Sequence, residues 1–254
     1  MSIFAAYHGI LMIFHTKGVV LRTIPYGETS IVVQIFTELF GIQSYLVNGV
    51  RTAGKSSKAH YYQAASILDM QVYHNELKNL QRVKEVKWNI LYQHILSDVT
   101  KNAIALFMVE LLHKCLKQPE INVNLFQFVE DALMNLDSAT DTVAANFPIY
   151  FSLHLTQFFG FNLEDTYTAQ RSLLDFQEGI FVAHPPDHQN YLQGEASYYF
   201  SQVMKAMHPD DLAQIQMNRF LRRDLLLALQ AFYALHMPDF GILKTLPILQ
   251  EILS

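Results

Sequence analysis

The sequence predicts an α+β protein in which a small antiparallel β-barrel is followed by an all-α helical domain. Two observations predict this order. Short strand-like runs separated by turn residues fill the first third of the chain, and from Trp88 onward apolar residues recur at helical spacing. A third observation, the opposite net charge of the two parts, indicates that they have different tasks.

The predicted barrel rests on a series of short segments that are rich in β-branched residues. Pro25, Gly27 and Gly41 supply turn signals between them. The segments are residues 17–24, 29–37, 41–50, 64–74 and 78–84. No stretch between them is long enough for crossover helices. Closure into an antiparallel barrel is therefore expected, because it removes exposed strand edges.

The predicted helices follow after the barrel. They cover residues 101–117, 122–136, 144–159, 221–235 and 243–253. The third of these is apolar almost all round, which predicts a central buried helix. The segment 175–182 reads as a small hairpin or irregular insert, and 184–188 reads as a loop.

We therefore expect three parts along the chain. Residues 1–11 form an N-terminal extension before a natural start at Met12, residues 12–84 the barrel, and residues 85–254 the helical domain, with the insert near 175–190. The apolar opening lacks both the basic start and the small-residue cleavage site of a signal peptide, and no stretch reaches the length of a membrane span. A cytoplasmic protein without membrane contact is expected.

The net charge of −5 is unevenly distributed. Residues 1–84 hold eight Lys and Arg against four Asp and Glu (net +4), and the remainder holds ten against nineteen (net −9). Arg51, Lys55 and Lys58 lie among small residues in a loop without acids. Such side chains can bind phosphates, although a solvated loop that is merely basic has the same composition.

Aromatic residues accompany this basic loop. They are Tyr26, Tyr45, Tyr61 and Tyr62. Single-strand binders stack bases on aromatic rings, whereas most tyrosines of small barrels cover the core.

Lysines near the first helices suggest a second site, where a pocket mixing lysine with apolar residues could take an acidic, apolar peptide end. Ordinary amphipathic helices show the same pattern. These lysines are Lys84, Lys87, Lys101, Lys114 and Lys117.

Catalytic and metal-binding patterns are missing, so neither an enzyme nor a cofactor is expected. His184 and His188 have the spacing of some zinc ligands, but Pro185 and Pro186 prevent the helix that would align them. The single cysteine, Cys115, lies on an apolar helical face, which predicts a buried and unreactive thiol.

The opening of the chain resembles the RecO family of bacterial recombination mediators. The resemblance consists of Lys17 to Leu21, the Tyr26 to Glu28 turn, Phe36–Thr37, Gly41, and Gly49 with Arg51 before a basic loop. The final segment, LLLALQAFYALHMPDFGILKTLPIL, is also similar to the last helices of that family.

The resemblance implies an N-terminal OB-fold and a helical C-terminal domain. It further implies binding of single- and double-stranded DNA, annealing of complementary strands, and assistance to RecA on gaps coated by single-strand-binding protein. RecR and the acidic tail of the single-strand-binding protein would be the partners, and the nucleoid the location. The residues implied on the DNA surface are Lys17, Arg22, Tyr26, Arg51, Lys55 and Lys58.

Many members of the family carry a four-cysteine zinc site in the helical domain. A single cysteine cannot form such a site, so no zinc is expected. The insert at 175–182 is expected to correspond to the region that holds the zinc site in those members. The alternative to a DNA-binding mediator is a protein-binding adaptor, in which the barrel is a docking module and the basic loop is incidental.

Overall fold

A computed structural model describes residues 12–50 and 58–253. The chain divides into two compact units. The barrel unit runs to Leu91 and also includes Gln118–Phe126, and the helical unit consists of Tyr92–Lys117 and the chain from Gln127 onward. The predicted extension at residues 1–11 lies outside the described residues.

The barrel unit is a closed five-stranded barrel. Its strands are β1 (Ile13–Tyr26), β2 (Ser30–Thr37), β3 (Gly41–Val47), β4 (Ile67–Tyr73) and β5 (Gln81–Trp88). They close in the order β1-β2-β3-β5-β4, with β3 and β5 parallel and the other neighbours antiparallel. This arrangement confirms the predicted barrel and has the strand number of an OB-fold. The fifth strand passes residue 84, the expected end of the barrel.

Alternation of inward and outward side chains builds the barrel core. Val33, Ile35, Tyr45 and Met70 are almost completely buried inside it, while the residues between them face outward. Gly41 has a φ of +63°, and a side chain there would collide with the backbone of Glu120. Glycine at this predicted turn is therefore required both by conformation and by space.

The described part of the helical unit contains six α-helices and a small sheet. The helices are α1 (Val99–Cys115), α2 (Val123–Ser138, whose first residues belong to the barrel unit), α3 (Asp141–Leu155), α4 (Gly194–Lys205), α5 (Arg219–His236) and α6 (Thr245–Ile252). Five of them lie where helical spacing predicts them. Helix α4 has no counterpart among the predicted helices, and its sequence begins with Gly194, which is a poor helix former.

Helix α3 is the centre of the helical unit, as predicted. It packs against α1, α4 and α5 and is buried on nearly all sides. Two of its residues form hydrogen bonds that tie it to neighbouring segments: the Asn146 side-chain amide donates to the carbonyl of Ile215 at 2.8 Å, and the Ser152 carbonyl accepts from the Tyr233 hydroxyl at 2.7 Å. A central helix of this kind fixes the positions of the others.

The predicted insert is a three-stranded sheet, β6 (Leu173–Asp175), β7 (Ile180–Val182) and β8 (Tyr191–Leu192), in the order β7-β6-β8. The Asp175 carboxylate holds its first turn by accepting the backbone N–H of Gln177 at 2.8 Å, and it lies 3.3 Å from His188 Nε2. No helix in the described part of the chain is long and apolar enough to cross a membrane.

Candidate nucleic-acid interface

Strand β1 carries two of the predicted DNA-binding cations, in different surroundings. Lys17 lies in its first half, is partly buried, and is paired in register with Asp69 of β4. Arg22 lies in the second half, is exposed, and is paired with Gln34 of β2. They are five positions apart, a distance of about 16 Å at about 3.3 Å per residue. Lys17 and Arg22 therefore belong to separate regions of the barrel surface.

The outward side chains of β1, β2 and β3 form one continuous surface, which we call the β1–β3 face. Its members are Arg22, Ile24 and Tyr26 of β1, Val32 and Gln34 of β2, Ser44 and Leu46 of β3, and Arg82, which lies opposite Leu46 at the start of β5. None of these eight positions is an acid. The face therefore combines two arginines with apolar and neutral polar side chains.

Tyr26 provides an accessible aromatic ring at the end of this face. Its side chain is 56% exposed, and it precedes the turn at Gly27, which has a φ of +58°. An exposed ring on the same face as Arg22 suits stacking of a nucleic-acid base. The nearest acid along the chain, Glu28, lies in the following turn.

The other three tyrosines near the basic loop have structural roles. Tyr45 and Tyr62 lie in the barrel core, and burial raises the pKa of both phenols well above the usual value. Tyr61 is partly buried, with its ring centroid 5.1 Å from that of Trp88. Of these four tyrosines, Tyr26 is thus the one whose ring is mainly exposed to solvent.

The basic loop is defined at its two ends. Arg51 and Lys55 lie outside the described residues, and Lys58 begins a short 3₁₀ helix, Lys58–Tyr62. Val50 before the loop is buried in the barrel core. The Ser30 hydroxyl donates to Asn48 Oδ1 at 3.1 Å and so ties the end of β3 to the start of β2. The end of β3, before the loop, therefore lies beside the turn that follows Tyr26.

The two predicted partner-binding lysines of the barrel unit bind side chains of β4. Lys87 Nζ lies 3.0 Å from the Asp69 carboxylate, and Lys84 Nζ donates to Gln71 Oε1 at 3.1 Å. His15 Nε2 also contacts Asp69, at 2.7 Å. On this side of the barrel, formed by β1, β4 and β5, the Asp69 carboxylate thus reduces the positive charge of its neighbours.

The three predicted partner-binding lysines of the helical unit do not form one pocket. Lys101 is buried, and its Nζ donates to the Asp137 carbonyl at 2.8 Å. Lys114 Nζ donates to the Phe240 carbonyl at 2.7 Å and lies 5.5 Å from that ring. Lys117 is exposed. Two of the three therefore make bonds inside the unit.

An apolar groove of about 350 Å³ lies between α1 and α6 of the helical unit. Leu96, Val99, Leu106, Ile248 and Ile252 provide its apolar lining. None of the five predicted lysines lines it, so it differs from the expected pocket that mixes lysine with apolar residues.

The side chains with potential for covalent or metal chemistry lie in ordinary structural surroundings. Cys115 is buried as predicted, and burial raises the pKa of its thiol. Within residues 12–50 and 58–253, no three His, Cys, Asp or Glu side chains are grouped in a way that could hold a metal ion.

Arg82 is absent from the predicted site residues, although alternation along β5 places its side chain on the outside of the barrel.

Comparison with known families assigns both parts of the chain. Residues 12–90 match the family model of the recombination protein O N terminal domain, and residues 96–244 match that of the recombination protein O C terminal domain. The two models together cover most of the chain in the order seen in the structure.

Whole-length relatives agree with the domain matches. The DNA repair protein RecO of Bacteroides fragilis is 31% identical over 95% of this chain and 99% of its own length. The protein of the same name from Phocaeicola vulgatus is 30% identical, covering 96% of this chain and all of its own length. That of Flavobacterium johnsoniae is 31% identical over 94% of this chain. The chain therefore belongs to the RecO family of DNA repair and recombination proteins.

Proposed function

We propose that this protein is a non-enzymatic DNA-binding mediator of recombinational repair, and that its barrel holds the nucleic acid. The observation that carries the proposal is the β1–β3 face, where Arg22, Arg82 and the exposed ring of Tyr26 occur without an acid among the outward side chains. Guanidinium groups bind phosphates, and an exposed ring stacks on bases of any sequence.

The predicted basic loop extends this surface in the proposal. Arg51, Lys55 and Lys58 follow β3, whose end is tied to the start of β2 beside the β1–β2 turn. Their charges would add phosphate contacts. Lys17 would contribute from the neighbouring region of β1, where Asp69 opposes it in register. We therefore assign Lys17 a smaller share of the affinity than Arg22.

The finer activities belong to the same proposal. The protein would anneal complementary single strands and help RecA load, together with RecR, on gaps coated by single-strand-binding protein. The acidic tail of that protein would bind the helical unit, where Lys117 is an exposed candidate contact. Work of this kind would take place in the cytoplasm, at the nucleoid.

The test is a titration of labelled single-stranded DNA at several salt concentrations, followed by an annealing assay with complementary oligonucleotides. Tyr26→Ala should weaken binding by about 1–3 kcal/mol, which is fivefold or more, because it removes a stacking ring. Tyr26→Phe keeps the ring and should bind like the wild type. A wild-type protein that neither binds nor anneals DNA would contradict the proposal.

The adaptor alternative is favoured by the apolar groove between α1 and α6, which is suited to a protein segment. A parallel titration with a peptide that ends in acidic and aromatic residues separates the two functions. Peptide binding without DNA binding would favour the adaptor. DNA binding by the wild type would exclude it as the full account.

A further inference from the structure

The loop between β4 and β5, residues 74–80, exposes an apolar side chain at its turn. Leu77 is 95% exposed, the largest fraction among the exposed large apolar residues of the described chain, and Leu80 is 38% exposed. Single exposed leucines are common on protein surfaces and need no explanation by themselves. What distinguishes Leu77 is the way in which the surrounding loop is held.

A buried glutamine fixes the conformation of this loop. Gln81 is 3% exposed; its Oε1 accepts from the Asn75 N–H at 2.9 Å, and its Nε2 donates to the Asn75 carbonyl at 2.9 Å and to the Lys78 carbonyl. Asn75 Oδ1 in turn accepts from the Leu77 N–H at 2.9 Å. Leu77 is thus presented to solvent by a pre-formed turn, which lowers the ordering cost of any contact it makes.

The loop leads directly into the β1–β3 face. Gln81 is in register with the core residue Tyr45, and the next residue, Arg82, is in register with Leu46 of the β1–β3 face. Lys78 follows Leu77 and is exposed. The loop also carries one acid, Glu76, so that Lys78 and Arg82 leave this segment with a net positive charge. Leu77 lies between Glu76 and Lys78, and the net positive charge of the segment together with its apolar tip matches a polyanion with apolar bases better than a neutral or basic peptide strand.

The loop exposes too little apolar surface area to bind a protein partner by itself. Each partner of a stable protein complex buries about 800 Å², of which two leucines could supply only a small part. A wedge into nucleic acid needs no such area. One apolar side chain between two bases is enough to unstack them, and neighbouring cations hold the backbone.

We propose that Leu77 is an apolar wedge that enters between adjacent bases of bound DNA, while Lys78 and Arg82 contact the phosphates beside that step. The inference rests on the proposed DNA-binding function and adds to it a defined distortion of the DNA. Stacking at the contacted step is broken, and the two bases are held apart.

The test uses a duplex oligonucleotide that contains 2-aminopurine, whose fluorescence rises when the base is unstacked. The wild-type protein should raise the fluorescence on binding, and Leu77→Ser should abolish most of that rise. The salt dependence of affinity should stay unchanged in this variant, because Leu77 contacts no phosphate. Leu77→Met retains an apolar side chain of similar volume and should preserve the rise.

Leu39→Ser provides the matched control. Leu39 is 39% exposed in the β2–β3 turn, outside the β4–β5 loop, so this variant should unstack the base like the wild type. Trp88, the one tryptophan of the sequence, reports through its intrinsic fluorescence that each variant has a folded barrel.

The outcomes separate the wedge from the function on which it rests. A wild-type protein that does not bind the duplex or a single strand overturns both. Binding without a fluorescence rise overturns the wedge alone. A full rise in Leu77→Ser also overturns it and would make a protein contact the better explanation for the exposed leucine.

Discussion

Asp69 and Lys87 form an ion pair across strands β4 and β5, with Oδ2 3.0 Å from Nζ. The Asp69 carboxylate also lies 2.7 Å from His15 Nε2, and the residue is in register with Lys17 of β1. A single carboxylate thus faces three potentially cationic side chains. It reduces the positive potential on this side of the barrel, whereas the β1–β3 face has no such acid.

Asp69→Asn should therefore strengthen DNA binding if the Lys17 side of the barrel takes part. The change releases Lys87 and raises the net charge by one, so affinity at low salt should increase up to about fivefold. The slope of log K against log salt should become steeper by about 0.7 for each single-strand phosphate newly contacted. Fluorescence anisotropy measures both. Glu195→Gln, which makes the same charge change on the exposed start of α4, is the control. Equal effects of the two variants would mean that only net charge matters.

Asp137 should stabilise the helical unit by binding the segment before α1. Its carboxylate accepts the backbone N–H groups of Gln93, His94 and Ile95 at 2.8–2.9 Å. Partial burial by itself raises the pKa of Asp137, but these hydrogen bonds outweigh it, and the pKa is lowered from 3.8. Asp137→Ala should lower the free energy of unfolding by about 1–2 kcal/mol.

The pH dependence follows from that lowered pKa. A folded-state pKa below the unfolded value means that the contribution is complete above pH 3.8 and is lost as pH falls through the folded-state pKa. Urea unfolding followed by circular dichroism should show the wild type and Asp137→Ala converging in stability at low pH. A constant difference between them at all pH values would contradict this role of the carboxylate.

Lys101 and Lys117 should behave differently, although the sequence predicts that both bind a partner. Lys101 is buried and donates to the Asp137 carbonyl, so Lys101→Ala should destabilise the helical unit by about 1–3 kcal/mol. Lys117 is exposed, and Lys117→Ala should change stability by less than about 0.5 kcal/mol. Denaturant unfolding measures both. Unchanged stability of Lys101→Ala together with lost binding of an acidic peptide would restore Lys101 as a contact.

The strands and most helices could be predicted because they follow local rules. The five strands of the barrel alternate in polarity between turn residues, which predicts strands with one buried face. Helix α3 is apolar almost all round, which predicts a buried helix. Helix α4 could not be found in this way. It begins with Gly194, and four of its twelve residues are buried beside exposed Tyr198, which leaves a weak periodic signal.

The candidate site was harder to predict, because it depends on which side of a strand faces which neighbour. Strand β4 pairs with the first half of β1 and β2 with the second half, so Lys17 and Arg22 meet different strands although they lie five residues apart. Arg82 lies opposite Leu46 because β3 and β5 pair in parallel, and this pairing links residues that are far apart in the sequence. Likewise, nothing local in the sequence shows that Lys101 turns inward to the Asp137 carbonyl.

The most direct test of the central claim is the salt-dependent binding of single-stranded DNA by the wild type beside Arg51→Glu/Lys55→Glu/Lys58→Glu. The control is Arg171→Glu/Arg223→Glu/Lys244→Glu, three exposed positions of the helical unit with the same change in net charge. We expect the loop variant to lose affinity and about 0.7 of salt slope for each phosphate contact removed, and the control to keep the wild-type slope. Equal slopes in all three proteins, or no binding by the wild type, would contradict a DNA-binding barrel.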